Sequence, residues 1–171
     1  MGPVGMRTGQ MNRYLAFGVA AIGLALPSVS SAQDIPGLIG MASLTGTCDR
    51  LIAAGDDFSA HCSGMIMQSI YDTGRTGFTL VIGDKGTIVT FSGMEGKKPD
   101  PDSQLQSVDK VILNLGIDGV PPTATETDGS CSYRNPYNGP MTIGCHAMDA
   151  EGKSYLLQFT TDGSDPEFAD L

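Results

Sequence analysis

Four cysteines, at positions 48, 62, 131 and 145, constrain the fold of this 171-residue chain more than any other feature. They form two near pairs, each with the same 14-position separation. Asn138 lies midway between Cys131 and Cys145, and Asn138-Gly139 is a strong turn dipeptide. A chain that folds back there brings the two thiols opposite one another. Of the three connectivities open to four cysteines, the spacing therefore favours Cys48–Cys62 with Cys131–Cys145. Each bridge would close a loop of about 15 residues, worth roughly 3 kcal/mol by the chain-entropy argument. The equal spacing also invites a search for internal duplication. Both halves read as cysteine, glycine-plus-base turn, aromatic-led strand and acidic turn, but the distances from cysteine to turn differ, 12 against 7, and turn chemistry converges easily.

Such bridges require an oxidising compartment, and the first 32 residues read as the means of reaching one. Arg7 and Arg13 are the only charges before Asp34. An apolar run, Leu15 to Leu26, follows; Pro27 ends it, and Ser30-Ser31-Ala32 offers small residues to a signal peptidase. The run is too short for a lasting membrane anchor. Translation from Met1, Met6 or Met11 would leave this pattern intact. Cleavage after Ala32 predicts a periplasmic or secreted mature chain of 139 residues, 33–171, with no stable anchor.

The whole chain carries a net charge of −9. Loss of Arg7 and Arg13 leaves eight basic against nineteen acidic side chains, a net −11. Lys97-Lys98 is the one basic pair in the mature chain, so nucleic acid and anionic lipid are disfavoured as partners.

The segments after Cys48 read as short strands joined by turns. Residues 33–47 are glycine-rich and weakly patterned, which predicts a flexible lead-in. Leu51 to Ala54 suggests a short helix ended by Gly55. His61 to Tyr71 alternates as a strand, with Ile66 and Gln68 on one face and Met65 and Met67 on the other. Phe78–Ile82 and Thr87–Ser92 are β-branched or aromatic and flank the hairpin residues Gly83 to Gly86. Residues 93–103 read as a polar loop. Residues 107–117 fit a helix face or a strand face; β-branching and the neighbouring strands favour strand. A proline- and threonine-rich loop is expected over 118–129, then strands near 130–134, 141–148 and 154–160. The expectation is an all-β chain: a small antiparallel β-sandwich or barrel of six to eight short strands, disulfide-stabilised. One domain spans 48–163 and an acidic tail follows over 164–171.

The chemistry is sparse. His61 and His146 are the only histidines, and each flanks a cysteine. With Met65 and Met67, and Met148 near the second histidine, they suggest a copper or zinc site, since imidazole and thioether together suit those metals. Equally, a histidine beside a bridged cysteine can simply face solvent, and paired methionines can fill a core. Tyr133, Arg134 and Tyr137 around Asn135-Pro136 form a candidate binding tip, because aromatic and arginine side chains dominate recognition hot spots. No nucleophile elbow, metalloprotease helix motif or phosphate-cradling loop occurs, and no resident cofactor is expected. The reading is a non-enzymatic binding or interaction protein of the cell envelope, with an unidentified protein or small-molecule partner. A periplasmic metal-binding protein using His61 and His146 is the alternative. N-terminal sequencing of the exported protein is expected to begin at Gln33; recovery of an uncleaved chain with four free thiols would contradict this.

Overall fold

A computed structural model describes residues 35–169 together with Gly2. The leader, its alternative starts and the cleavage site lie outside the described residues. The described residues form ten strands: β1 (Leu38–Ala53), β2 (Asp56–Asp57), β3 (Cys62–Tyr71), β4 (Arg75–Ile82), β5 (Thr87–Met94), β6 (Ser103–Asn114), β7 (Thr123–Arg134), β8 (Thr142–Asp149), β9 (Ser154–Thr161) and β10 (Glu167–Ala169). Eight of them pair antiparallel in the order β1-β3-β4-β5-β6-β7-β8-β9, and β9 returns to pair with β1. The result is a closed eight-stranded up-and-down barrel, with β2 and β10 as short additions to β1. Closure leaves no long unpaired edge.

The long strand β1 makes this closure. Its first part pairs with β3, from Leu38↔Tyr71 to Thr45↔Met65. Its second part pairs with β9, from Gly46↔Thr161 to Ile52↔Leu156. The handover falls at Gly46, where a Cβ would stand 2.1 Å from the Thr160 carbonyl oxygen. Beyond that point β1 has left the β3 ladder. The Cys48–Cys62 disulfide continues the same register across the gap, with a Cα–Cα distance of 6.0 Å. Cys131 and Cys145 are direct partners on β7 and β8, with Cα atoms 4.0 Å apart. Both bridges favoured by the spacing are therefore present. Two disulfides are compatible with an extracellular or other oxidising compartment.

Several local expectations are corrected. The lead-in over 33–47 is, from Leu38, the first part of β1, with Ala42 and Leu44 buried. Its glycines and small residues weaken the strand signal but permit the close approach at the seam. Leu51–Ala54 is not a helix: Leu51 and Ala53 are inward-facing strand residues. Ala54 (φ 53°) and Gly55 (φ 91°) form the tight turn into β2, and positive φ at both central residues matches the twist of a two-residue hairpin. The loop expected over 118–129 becomes strand at Thr123, where alternating threonines fit the pleat. The tail expected from 164 contributes β10, which pairs Glu167–Ala169 with Ser43–Met41, and Phe168 remains exposed. The β-domain thus reaches from Leu38 to Ala169 rather than from 48 to 163. The ambiguous segment 107–117 is strand, within β6, as far as Asn114.

The barrel interior is mostly apolar. Phe78, Phe91, Phe159, Leu51, Ile66, Leu80, Ile143 and Val89 are fully buried. A second crowded point is Gly93 on β5, where an added Cβ would lie 1.8 Å from the Ser107 carbonyl oxygen. Backbone cannot retreat as a flexible side chain can. Gly93→Ala is therefore expected to cost at least about 2 kcal/mol through overpacking. Ala54→Gly, which relieves a left-handed alanine, is expected to stabilise by about 1 kcal/mol. Urea midpoints of the two variants, moving in opposite directions, check both.

Candidate functional site

One end of the barrel differs from the rest of the interior. There β3 ends, β4 and β6 begin, and β7 ends. The inward positions carry Gln68, Thr76, Gln104, Gln106 and Tyr133 instead of aliphatic side chains. On β6 the burial alternates, so Gln104 and Gln106 face inward along with Val108. Gln104 is paired with Tyr133 and Gln106 with Cys131 across the β6–β7 ladder. The Tyr133 ring meets Phe78 edge-on, 5.0 Å between centroids and 82° between planes, which joins this polar end to the apolar core.

The hydrogen bonds here are nearly complete, with two exceptions. Gln68 Nε2 donates to Thr76 Oγ1 and to the Tyr133 hydroxyl, each at 3.4 Å. Thr76 Oγ1 donates to the Ser69 carbonyl at 3.0 Å. Gln104 Nε2 donates to the carbonyls of Gly96 (3.0 Å) and Leu105 (2.8 Å), tying the 95–102 loop to β6. Gln106 Nε2 donates to the Thr76 carbonyl at 3.2 Å. The Oε1 atoms of Gln104 and Gln106 are buried and have no hydrogen-bond donor. Both residues are more than nine-tenths buried, at 7% and 1% exposure. Rotating either amide would not help, because each Nε2 already serves a carbonyl. A buried acceptor left in this state costs on the order of 1–3 kcal/mol.

Two clefts open onto this end. One, about 290 Å³, is lined by Glu95, Lys98, Asp102, Gln104, Tyr133 and Arg134 among others. The second, about 250 Å³, is lined by Gln68, Tyr71, Asp72, Arg75, Glu95 and Tyr133 among others. Glu95 and Tyr133 belong to both. A β-bridge to Gln106 and an N–H donated to the Gly74 carbonyl at 2.9 Å hold the Glu95 backbone in place. A further cleft of about 580 Å³ runs from Gln104 and Tyr133 over Pro140 and Met141.

Charge is distributed unevenly around these openings. The Arg75 guanidinium is held in a two-point pair with Asp109, at 2.8 and 2.7 Å, and also donates to Ser92 Oγ at 3.1 Å. That hydrogen bonding raises the Arg75 pKa and lowers that of Asp109, with burial opposing both shifts. Among the described residues, the Glu95 carboxylate has neither an ion pair nor a hydrogen bond. Burial pushes the Tyr133 hydroxyl up to about 12; the Glu95 charge adds to the rise, and the hydrogen bond from Gln68 works against it. Tyr133 therefore stays a neutral phenol at physiological pH. The first cleft offers carboxylates and an amide carbonyl as acceptors, a phenol that can also donate, and the cationic donors Lys98 and Arg134.

Of the candidate binding tip, Tyr133 faces inward and Arg134 is exposed, and both line the first cleft; Tyr137 is exposed on the 3-10 turn Pro136–Asn138 and lines neither cleft. The candidate metal residues are not brought together. His61 is exposed in the turn Ser59–His61, and His146 is exposed on the outer face of β8. Their strands are separated by β1 and β9, a lateral distance of about 14 Å at ordinary strand spacing. Met65 and Met148 are exposed on β3 and β8, at 46% and 54%, and Met67 is half-buried on the outer side of β3. Among the described residues, no three His, Cys, Asp or Glu side chains cluster as metal ligands.

Gln68, Glu95, Gln104 and Gln106 were not singled out from the sequence. Their signal is weak but real: polar residues at 104 and 106 share parity with Val108, and Gln68 shares parity with Ile66. The chain matches no protein-family model, no curated protein and no solved structure. No described helix is long and apolar enough to cross a membrane.

The Tyr133 shift carries a pH consequence. The folded state holds this proton more tightly than the ordinary phenol pKa of 10.0 allows. The resulting stabilisation is complete below that pH and is lost as the pH rises through about 12. Urea unfolding between pH 9 and about 11.5 is expected to show a steeper loss of stability in the wild type than in Tyr133→Phe. Parallel curves would contradict the assignment.

Proposed function

We propose that the chain is exported to the periplasm or cell exterior and acts there as a non-enzymatic binding protein. The ligand would be held at the polar end of the barrel. The observation that carries this reading is the buried Gln104 Oε1, which has no donor on a residue that lines an open cleft; Gln106 Oε1 is a second buried acceptor without a donor on the same strand. Small eight-stranded barrels are either filled by side chains or hold one small ligand at their mouth. This interior is filled through its apolar body and turns polar only at the end where Tyr133 sits. The leader pattern in residues 1–32 and the two disulfides support the extracytoplasmic setting. The acidity of the chain suits solubility there and argues against polyanionic partners.

A melting screen tests this reading, using oxidised protein and a fragment set of small amides, alcohols, amines and carboxylates. A ligand at a hundredfold its dissociation constant stabilises by about 2.7 kcal/mol, a shift of several degrees for a domain of this size. At least one fragment is expected to raise the melting temperature of the wild type and to do so less in Gln104→Leu. Turnover of an envelope substrate that is lost in Glu95→Gln or Tyr133→Phe would replace binding with catalysis.

A further inference from the structure

The two disulfides sit in opposite surroundings. Cys131 and Cys145 are 0% and 3% exposed and lie inside an unbroken ladder, with Ser130↔His146 before them and Ser132↔Gly144 after. Each is also paired on its other side, Cys131 with Gln106 of β6 and Cys145 with Leu157 of β9. Breaking that bridge would leave both strands held by their ladders. Cys48 and Cys62 are only half-buried. The β1–β3 ladder ends at Thr45↔Met65, so the bridge joins the two strands where no ladder pair does among the described residues. Cys62 is the first residue of β3, and the β3–β4 register shifts between its pair with Ile82 and the pair Ile66↔Leu80. The start of β3 is thus interrupted on both sides. A cleft of about 350 Å³, lined by His61, Cys62, Ser63 and Asp84 among others, opens beside it.

Thiol–disulfide exchange needs a thiolate to approach a sulfur atom, so access decides which bridge reacts. A half-buried bridge whose Cys62 lines a cleft meets that requirement. A bridge closed in by paired strands on both sides does not, short of unfolding.

We infer that Cys48–Cys62 is a site of reversible thiol–disulfide exchange with a dithiol, and that its reduction unlatches the start of β3 from β1 while Cys131–Cys145 stays closed. One thiolate of the dithiol attacks Cys62 Sγ; the S–S bond breaks, and its electron pair leaves on Cys48 Sγ, which takes up a proton. The second thiolate of the dithiol then attacks its own partner sulfur in the mixed disulfide, which closes the dithiol into a disulfide and releases Cys62 as a thiol. The bridge gains two electrons and two protons, and the dithiol loses them. Reoxidation reverses these steps. At this end β1 and β3 then stay connected through the intervening turn, where the Phe58 N–H donates to the Leu51 carbonyl at 2.8 Å and the Leu51 N–H to Ser59 Oγ at 3.0 Å. The site lies at the start of β3, away from the barrel mouth at its other end, and does not rest on the binding role proposed above.

The test treats the oxidised protein with dithiothreitol in the absence of denaturant, quenches samples with iodoacetamide and maps the alkylated cysteines by mass spectrometry. Cys48 and Cys62 are expected to be alkylated together, at least about tenfold faster than Cys131 and Cys145. In the half-reduced protein, hydrogen exchange over residues 58–65 is expected to accelerate at least about tenfold, with residues 78–80 as protected as before. The double variant Cys48→Ala, Cys62→Ala is expected to show the same pattern without reductant. Equal rates for the two bridges, or faster opening of Cys131–Cys145, overturns the exchange site. Selective opening with exchange over 58–65 unchanged, or accelerated across the whole barrel, overturns the unlatching, as does a double variant that exchanges like the oxidised wild type.

Discussion

The barrel depends on one strand serving two neighbours. β1 pairs with β3 through Thr45 and with β9 from Gly46 onward, so the same backbone that begins the sheet also completes it. This is possible only where the chain can approach its neighbour closely. Gly46 supplies that approach, and the Cys48–Cys62 bridge covalently secures the stretch where the β3 ladder has ended. The bridge therefore acts at the weakest part of the closure, while Cys131–Cys145 reinforces a ladder that is already paired. The first removes freedom from the unfolded chain and also guards the seam; the second works mainly through the unfolded chain.

Closure in turn decides where polar groups can sit. A shut barrel excludes water from its body, and the interior there is built from Phe78, Phe91, Phe159 and aliphatic partners. Only the ends can hold polar side chains near solvent. At the end marked by Tyr133, amides and a threonine replace the aliphatics and satisfy one another through Gln68, Thr76 and the carbonyls they reach. Two buried acceptors, Gln104 Oε1 and Gln106 Oε1, are left without donors. That imbalance is what distinguishes a prepared surface from an ordinary capped end, because buried acceptors without donors work against folding.

Much of the architecture was legible beforehand. Alternation in Cys62–Tyr71, β-branching in Phe78–Ile82 and the Asn138-Gly139 apex indicated antiparallel strands and the Cys131–Cys145 bridge. The misses share a cause. Residues 38–47 and 123–129 belong to strands but are rich in small residues or threonine, so their pairing depends on neighbours rather than on their own apolar pattern. Tyr133, Arg134 and Tyr137 read as a surface tip in the sequence, yet strand alternation turns Tyr133 inward; it shares a cleft with Arg134 but not with Tyr137.

What the sequence by itself determined is local: strand segments with their alternating faces, the turn residues between them, the pairing of cysteines by spacing, and the acidic charge. These follow from properties carried by a few adjacent residues. Only the tertiary structure decided that the sheet closes, that His61 and His146 stand apart, and that Glu95, Gln104 and Tyr133 share one opening. Those outcomes depend on which strands become neighbours, and that choice is made by seam packing and register across the whole chain, which no short window of sequence contains.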